Sequence, residues 1–401
     1  MSRTEGFDRV IDRRHSDSLK WHAYDEDVLP MWVADMDFAS PSVVIDALES
    51  RVRHGVFGYS RECQELREKV VERMWEMHRW RISEASIVFL PNVVSGFNLA
   101  AQAVCRPGDG VIYQPPVYFP ILRVPGNVQA AAQRSPLVRS ASGRYELDFD
   151  GFGEAIDART RMFLLCNPHN PVGRVFTHQE LIKLAESCLE SNVVICSDEI
   201  HGELAYEGHR HLPIASLSRE IEASSITLIA PSKTFNVAGM GFAMAIIPDP
   251  KLRERFTEAR RDFVPSPSAL GYTAALAAYT NGEAWRQELL AYLQGNRDTL
   301  TQYVEESLPG VDVHPAEATY LAWLDCRALD LGGSPQAFFL DHARVALNDG
   351  VSFGPGGEGF VRMNFGCPRA QLVEALDRMR AALDGQRSRL PGVQLAGEAS
   401  A

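Results

Sequence analysis

Three stretches decide the fold: Met162-Phe-Leu-Leu-Cys-Asn-Pro-His-Asn-Pro-Val-Gly173, Val193-Val-Ile-Cys-Ser-Asp-Glu-Ile-His201 and Ile226-Thr-Leu-Ile-Ala-Pro-Ser-Lys233. Each opens on a short, continuous apolar run rich in branched residues, at 162–166, 193–197 and 226–230, and a fourth run follows at 242–247. Between the first two, residues 178–190 repeat apolar side chains at helical spacing, with Leu181, Leu184, Ala185, Cys188 and Leu189 on one face. Apolar strands alternating with helices predict an α/β fold whose mostly parallel, doubly wound sheet is covered on both faces. In such a sheet ligands bind beyond the carboxyl ends of the strands. Asn170, Asp198 and Lys233 each follow one of the three runs, so an amide, a carboxylate and an amine are expected in one crevice.

The rest of the chain supports a globular enzyme-sized protein. Its 401 residues are 45% hydrophobic and 23% charged, which excludes disordered and fibrous classes. The net charge of −12 makes nucleic acid and anionic membranes poor partners. Seven cysteines without a CxxC pair read as reduced thiols of a cytoplasmic protein. No apolar run approaches the ~18 residues of a membrane span, and the charged first 20 residues lack the apolar core of a signal peptide. After residue 280 the pattern changes to a long helix at 282–307, a strand at 320–324, a glycine-rich loop at 353–360, a strand at 361–365 and a helix at 369–383. That order predicts a smaller α+β domain.

A lysine, an acid and an amide at one crevice suit pyridoxal 5'-phosphate, which needs an amine for its aldehyde and an acid beside its ring nitrogen. The plainer alternative is a buried Lys233–Asp198 ion pair in an ordinary sheet protein, disfavoured because lysine is rarely buried without a purpose. His209 and His211 with Glu207 have faintly metal-like spacing, but a histidine pair on a glycine-flanked loop is expected to face solvent, and no metal is expected. The Gly354–Gly359 loop has no phosphate-binding lysine, so a nucleotide is not expected either.

Longer motifs make the reading specific. Met31-Trp-Val-Ala-Asp-Met-Asp-Phe38, His54-Gly-Val-Phe-Gly-Tyr-Ser60, Pro115-Pro-Val-Tyr-Phe-Pro120, Ser232-Lys-Thr-Phe-Asn236 and the 353–368 stretch run collinearly with the three strand ends. From about residue 7 to 383 the chain resembles the fold-type I pyridoxal phosphate enzymes of the aminotransferase superfamily, specifically the cystathionine β-lyase-like C–S lyases of the MalY/PatB group. The resemblance implies that Lys233 condenses with the cofactor aldehyde, Asp198 pairs with the ring nitrogen, Asn170 bonds the ring hydroxyl and Tyr118 stacks on the ring. It implies a phosphate held by the backbone at Val93 and Val94 with the Ser232 hydroxyl, on a helix that starts after Asn92. Tyr59 would reach the phosphate of a second copy of the chain, making a homodimer. Arg362 would grip the substrate carboxylate through its planar, bidentate guanidinium, and Tyr320 is weighed equally as pocket wall or core. The implied division is an N-terminal segment (1–45) joining the small domain, a large cofactor-binding domain (46–280), a small α+β domain (281–385) and a disordered tail (386–401).

Two departures from the aminotransferase pattern point to the lyase branch. His201 stands where aminotransferases usually carry tyrosine, and Gly241 where many carry a phosphate-binding arginine. The expected reaction is α,β-elimination of L-cystathionine or another S-substituted L-cysteine to a thiol, pyruvate and ammonia. An aminotransferase and a non-catalytic regulatory module are the rivals. The pocket mouth is expected near Phe38, Phe119 and Tyr320.

Overall fold

The computed structural model describes residues 6–389, and the apolar runs form its centre. In chain order the main strands are Ile87–Leu90 (β1), Gly110–Tyr113 (β2), Ala131–Arg134 (β3), Thr160–Cys166 (β4), Val194–Asp198 (β5), Ser225–Ile229 (β6) and Ala243–Ile246 (β7). They lie in the order β1-β7-β6-β5-β4-β2-β3, and only β7 runs antiparallel to its neighbours. Along β4 the side chains alternate between two buried layers: Met162, Leu164 and Cys166 enter one, Phe163 and Leu165 the other. Both faces are therefore dry, which is why the run reads as continuous rather than alternating. The helix His178–Glu190 begins at a capping box in which Thr177 and Glu180 satisfy each other's backbone amides.

A second, four-stranded sheet contains Asp312–Val313 (β8), Leu321–Asp325 (β9), Asn348–Asp349 (β10) and Phe360–Asn364 (β11), in the antiparallel order β8-β9-β11-β10. The helices Glu283–Ser307 and Arg369–Arg389 cover it with Leu289, Leu293, Leu372 and Met379. The N-terminal segment packs into the same layer: Leu29–Pro30 pairs in parallel with Val345–Ala346, and Phe7, Met31 and Met36 join its apolar cluster. Phe38 is buried there too, against Phe7 and Tyr292, and not at a pocket mouth. The last helix runs past Leu383 to Arg389, so the expected tail is helical over its first residues. Within this last turn the Arg387 guanidinium donates to the Pro309 carbonyl and the Ser388 hydroxyl to the Asp384 carbonyl. Residues 390–401 lie outside the described residues. Among the described residues no helix is long and apolar enough to cross a membrane.

The 31–38 segment is held by its own backbone. Asn364 donates to the Val33 and Asp35 carbonyls at 2.7 and 2.6 Å and accepts from Gly366 N. Asn236 accepts from Met36 N and donates to the Met36 and Phe38 carbonyls. Asp37 is buried against Lys20 and Arg13, both at 2.7 Å. Burial pushes the Asp37 carboxyl up, but Lys20, Trp21 and Arg13 outweigh it and hold it below the usual carboxylate range. Replacing Asn364 by Ala removes three hydrogen bonds from a buried position and is expected to cost about 2–4 kcal/mol, read as a shift in the denaturant midpoint.

Candidate active site

β4, β5 and β6 are in-register neighbours: Cys166 stands opposite Asp198, and Asp198 opposite Leu228. The residues that follow their carboxyl ends surround a cavity of about 300 Å³, and Asn170, Asp198, Ser232 and Lys233 all line it. Arg362 enters from β11 in the smaller sheet. Tyr118, His201, Val93 and Val94 complete the expected lining. A wider open groove of about 880 Å³, between Glu62, Arg67 and Arg253, contains none of these groups.

Each side chain has a definite setting. Lys233 sits in the short helix Pro231–Thr234 and donates to the Ala34 carbonyl at 2.5 Å. Burial and the nearby Arg362 charge lower its ammonium to about 8, against the opposing pull of Asp35 and Asp198. Asp198 accepts only the Ile200 amide, at 3.2 Å, and burial raises its carboxyl to about 7. Lys233 and Asp198 thus form no ion pair with each other among the described residues, and the plainer alternative fails. Arg362 donates to Asn170 Oδ1 and the Trp32 carbonyl, both at 3.0 Å, and to Asn348 Oδ1. Its plane lies over the Phe353 ring at 4.9 Å. Burial lowers its guanidinium to about 10, which still leaves it charged at neutral pH. His201 is buried, and desolvation with the Lys233 and Arg362 charges drives its imidazole well below the ordinary value, so it is neutral.

Asn92 caps the helix Val93–Val104 by accepting from Ser95 N, and the first helical residues Val93 and Val94 border the cavity. Such a helix start offers free amides to an anion. Ser232 also lines the space, but its hydroxyl donates to the Phe242 carbonyl at 3.2 Å. Gly241 lines it with φ +61°, in the left-handed region that disfavours an arginine there. Among the described residues Lys233 and Arg362 are the only cationic side chains of the lining, so no further cation faces a phosphate.

Two expected residues do not line the cavity. Tyr320 is buried behind it, donating to the Ala34 carbonyl at 3.0 Å with its ring 5.9 Å from that of His201. Tyr59 is fully exposed in the single chain. The histidine pair also departs from expectation, because His211 is buried and bonds Glu199 at 2.8 Å while His209 stays half-exposed. Among the described residues no three metal-ligating side chains converge. Three contributors carried no assigned role: Ala34 and Trp32, which act through carbonyls, and Asn348, which faces Arg362 across the β10–β11 pair. Backbone acceptors leave no mark in residue type. The long Met31–Phe38 motif was the available signal for the first two.

Three residues lining this space carry buried polar atoms short of protein partners among the described residues: Asp198 has a single amide donor, and His201 Nδ1 and Arg362 Nε have none. A planar group with a ring nitrogen, a hydroxyl and a phosphate fits that donor and acceptor set. Residues 26–379 match the class I and II aminotransferase family.

The chain belongs to the class I and II aminotransferase family.

Over 385 residues it is 40% identical to cystathionine beta-lyase PatB of Bacillus subtilis, covering 94% of this chain and 99% of that protein. The crystal structure of cystalysin from Treponema denticola, which contains pyridoxal 5'-phosphate, superposes with a TM-score of 0.91 at 33% identity, covering 95% of this chain and 99% of that one. The PLP-bound C-S lyase from Staphylococcus hominis follows at a TM-score of 0.88 and 31% identity, covering 94% and 98%. Family membership establishes the aminotransferase fold and pyridoxal 5'-phosphate as the cofactor, and places the chain among the MalY/PatB-type C–S lyases.

The uncompensated Asp198 gives a stability test. In an unfolded chain this carboxyl ionises near 3.8, whereas in the fold it keeps its proton to about 7. Folded apoprotein therefore loses stability as pH rises from about 4 to 7. Asp198→Asn removes that loss. Its apo form is expected to outlast the apo wild type by on the order of a few kcal/mol above pH 7, with the gap closing towards pH 4, in denaturant titrations.

Proposed function

We propose that this family member is a pyridoxal 5'-phosphate-dependent C–S β-lyase, cleaving L-cystathionine or a related S-substituted L-cysteine with water to a thiol, pyruvate and ammonia. The observation that carries the reading is the convergence of Lys233, Asp198, Asn170 and Arg362 on one cavity. The lyase relatives at 31–40% identity support it, as do His201 and Gly241, which line that cavity in place of aminotransferase side chains.

Bound pyridoxal 5'-phosphate supplies an aldehyde for amines and a protonated ring that draws electrons from the substrate Cα. Lys233 holds the cofactor and, once its amine is free, takes the Cα proton. An ammonium lowered to about 8 leaves an appreciable neutral fraction near pH 7.5, as a general base requires. Asp198 keeps a proton at the ring nitrogen, Asn170 bonds the ring hydroxyl with its amide nitrogen and Tyr118 covers one ring face. The amides of Val93 and Val94 receive the phosphate, joined by Ser232 once its hydroxyl turns from the Phe242 carbonyl. Arg362 exchanges the Trp32 carbonyl for the substrate carboxylate, with Asn170 and Asn348 keeping its fork in plane. Tyr320 acts one layer back by sharing the Ala34 carbonyl with Lys233.

The working unit in this reading is a homodimer in the cytoplasm. Val56, Phe57 and Tyr59 form an exposed apolar stretch, and Tyr59 at 111% relative exposure has no cover from its own chain. Seven free cysteines suit a reducing compartment.

Holoenzyme supplied with L-cystathionine alone is expected to release pyruvate and thiol in equal amounts, and Lys233→Ala to release neither. A strict requirement for a keto-acid acceptor moves the assignment to aminotransferase. Tyr59→Ala and Lys233→Ala are each expected to be nearly inactive alone. After unfolding and refolding together they should recover activity, because a mixed dimer rebuilds one site with Lys233 from one chain and Tyr59 from the other.

A further inference from the structure

The three acceptors that hold Arg362 are all neutral: Asn170 Oδ1 and the Trp32 carbonyl at 3.0 Å, and Asn348 Oδ1 at 2.5 Å. A carboxylate in any of these places would pair with the guanidinium and cancel the charge that an incoming substrate needs. Neutral oxygens seat the side chain and leave that charge free. A guanidinium carries only donors, so an amide that meets it must present its oxygen. The amide nitrogen is then turned elsewhere, as a donor whose orientation the arginine sets. Arg362 imposes this on two side chains at once. Asn170 directs its donor to the ring hydroxyl in the proposed reaction, whereas the donor of Asn348 has no part in it. The bond to Arg362 is the one hydrogen bond that the Asn348 side chain makes among the described residues, so its amide nitrogen is left for a ligand. Asn348 stands directly opposite Arg362 in the β10–β11 pair and lines the same cavity. The next residue anchors the strand, because Asp349 accepts from Val351 N and from the Ser334 hydroxyl, both at 3.2 Å. Gly350 then lets the chain press onto β11, since a Cβ there would stand 2.5 Å from the Phe360 carbonyl oxygen.

We propose that Asn348 is a substrate-binding residue whose amide nitrogen donates to the substrate α-carboxylate beside the Arg362 guanidinium. The inference rests on the assignment of Arg362 to that carboxylate. A carboxylate brings two oxygens with about four acceptor sites, and a bidentate guanidinium fills two of them. Away from water the remaining sites need donors from the protein. The Asn348 amide nitrogen shares a carbon with the oxygen that Arg362 holds, so the two donors can serve one bound anion together. If the residue served only to seat Arg362, its oxygen would suffice. An amide adds a donor at the same place without adding charge. The carboxylate takes no part in the bonds that form and break, so this contact holds equally before and during the reaction. Its loss therefore falls on binding and not on turnover.

The test titrates holoenzyme with L-norvaline, which has no leaving group, and with butylamine, which is norvaline without its carboxylate. Binding is read from the visible spectrum of the bound cofactor. Asn348→Ala is expected to weaken norvaline by roughly 10- to 100-fold, the range of a hydrogen bond to a charged group, and butylamine by less than about twofold. With a thioether substrate KM is expected to rise by a similar factor while kcat stays within about threefold. A residue that only seats Arg362 loses its effect once the arginine is gone. In an Arg362→Ala background, Asn348→Ala is therefore expected to weaken norvaline at least about threefold further, and a smaller additional loss overturns the proposal. An equal loss for butylamine overturns it too, because the partner of the amide is then not the carboxylate. If Arg362→Ala alone binds norvaline at wild-type strength, the carboxylate assignment falls and the proposal with it. None of these results bears on the lyase reading, which the release of pyruvate and thiol decides separately. Should Asn348→Ala fail to fold, Asn348→Ser is held to the same limits.

Discussion

The register of three parallel strands is the constraint on which the site depends. With Cys166 opposite Asp198 and Asp198 opposite Leu228, the strands end on a common line, and the chain beyond each end must enter the same space. Parallel pairing is open to these runs because each is apolar on both faces, and helices bury both sides of the sheet. An amide, a carboxylate and an amine that are 28 and 35 residues apart along the chain are thereby brought to one cavity without any of them bonding the others.

The lack of mutual bonding gives the site its chemistry. A buried Lys233–Asp198 pair would stabilise both charged forms, holding the amine protonated and the carboxylate bare. Separated, they drift the other way: the amine towards neutrality and the carboxyl towards its acid. Those shifts make the empty fold less stable and the same groups ready for a cofactor, a common trade at functional positions. The second sheet completes the arrangement by supplying Arg362 from β11, whose guanidinium is oriented by side chains of both sheets, Asn170 and Asn348.

Much of this was legible in the residues, and the rest was not for identifiable reasons. Continuous apolar runs and the 178–190 periodicity gave strand and helix positions to within one or two residues, because burial on both sheet faces leaves an unambiguous pattern. Lys233, Asp198 and Asn170 were readable because their types are unusual at strand ends. Tyr320 could not be placed from its type, since an aromatic in an apolar strand serves equally as wall or core, and it lies behind the cavity. His211 was misread as solvent-facing because the glycine beside it suggested a surface loop, whereas the ring turns inward to an acid twelve residues earlier. The continuation of the last helix to Arg389 is accompanied by a long-range bond from Arg387 to the Pro309 carbonyl, which no local pattern records.

The acceptor shared by Lys233 and Tyr320 is a main-chain oxygen, that of Ala34. Every amino acid carries that oxygen, so no codon change at position 34 can delete it. The restraint is lost only when the backbone itself moves, and Asn364, Asn236 and the Asp37 ion cluster hold that backbone on either side. Genetic vulnerability is thus displaced from the residue in contact to the distant clamps that hold it in place.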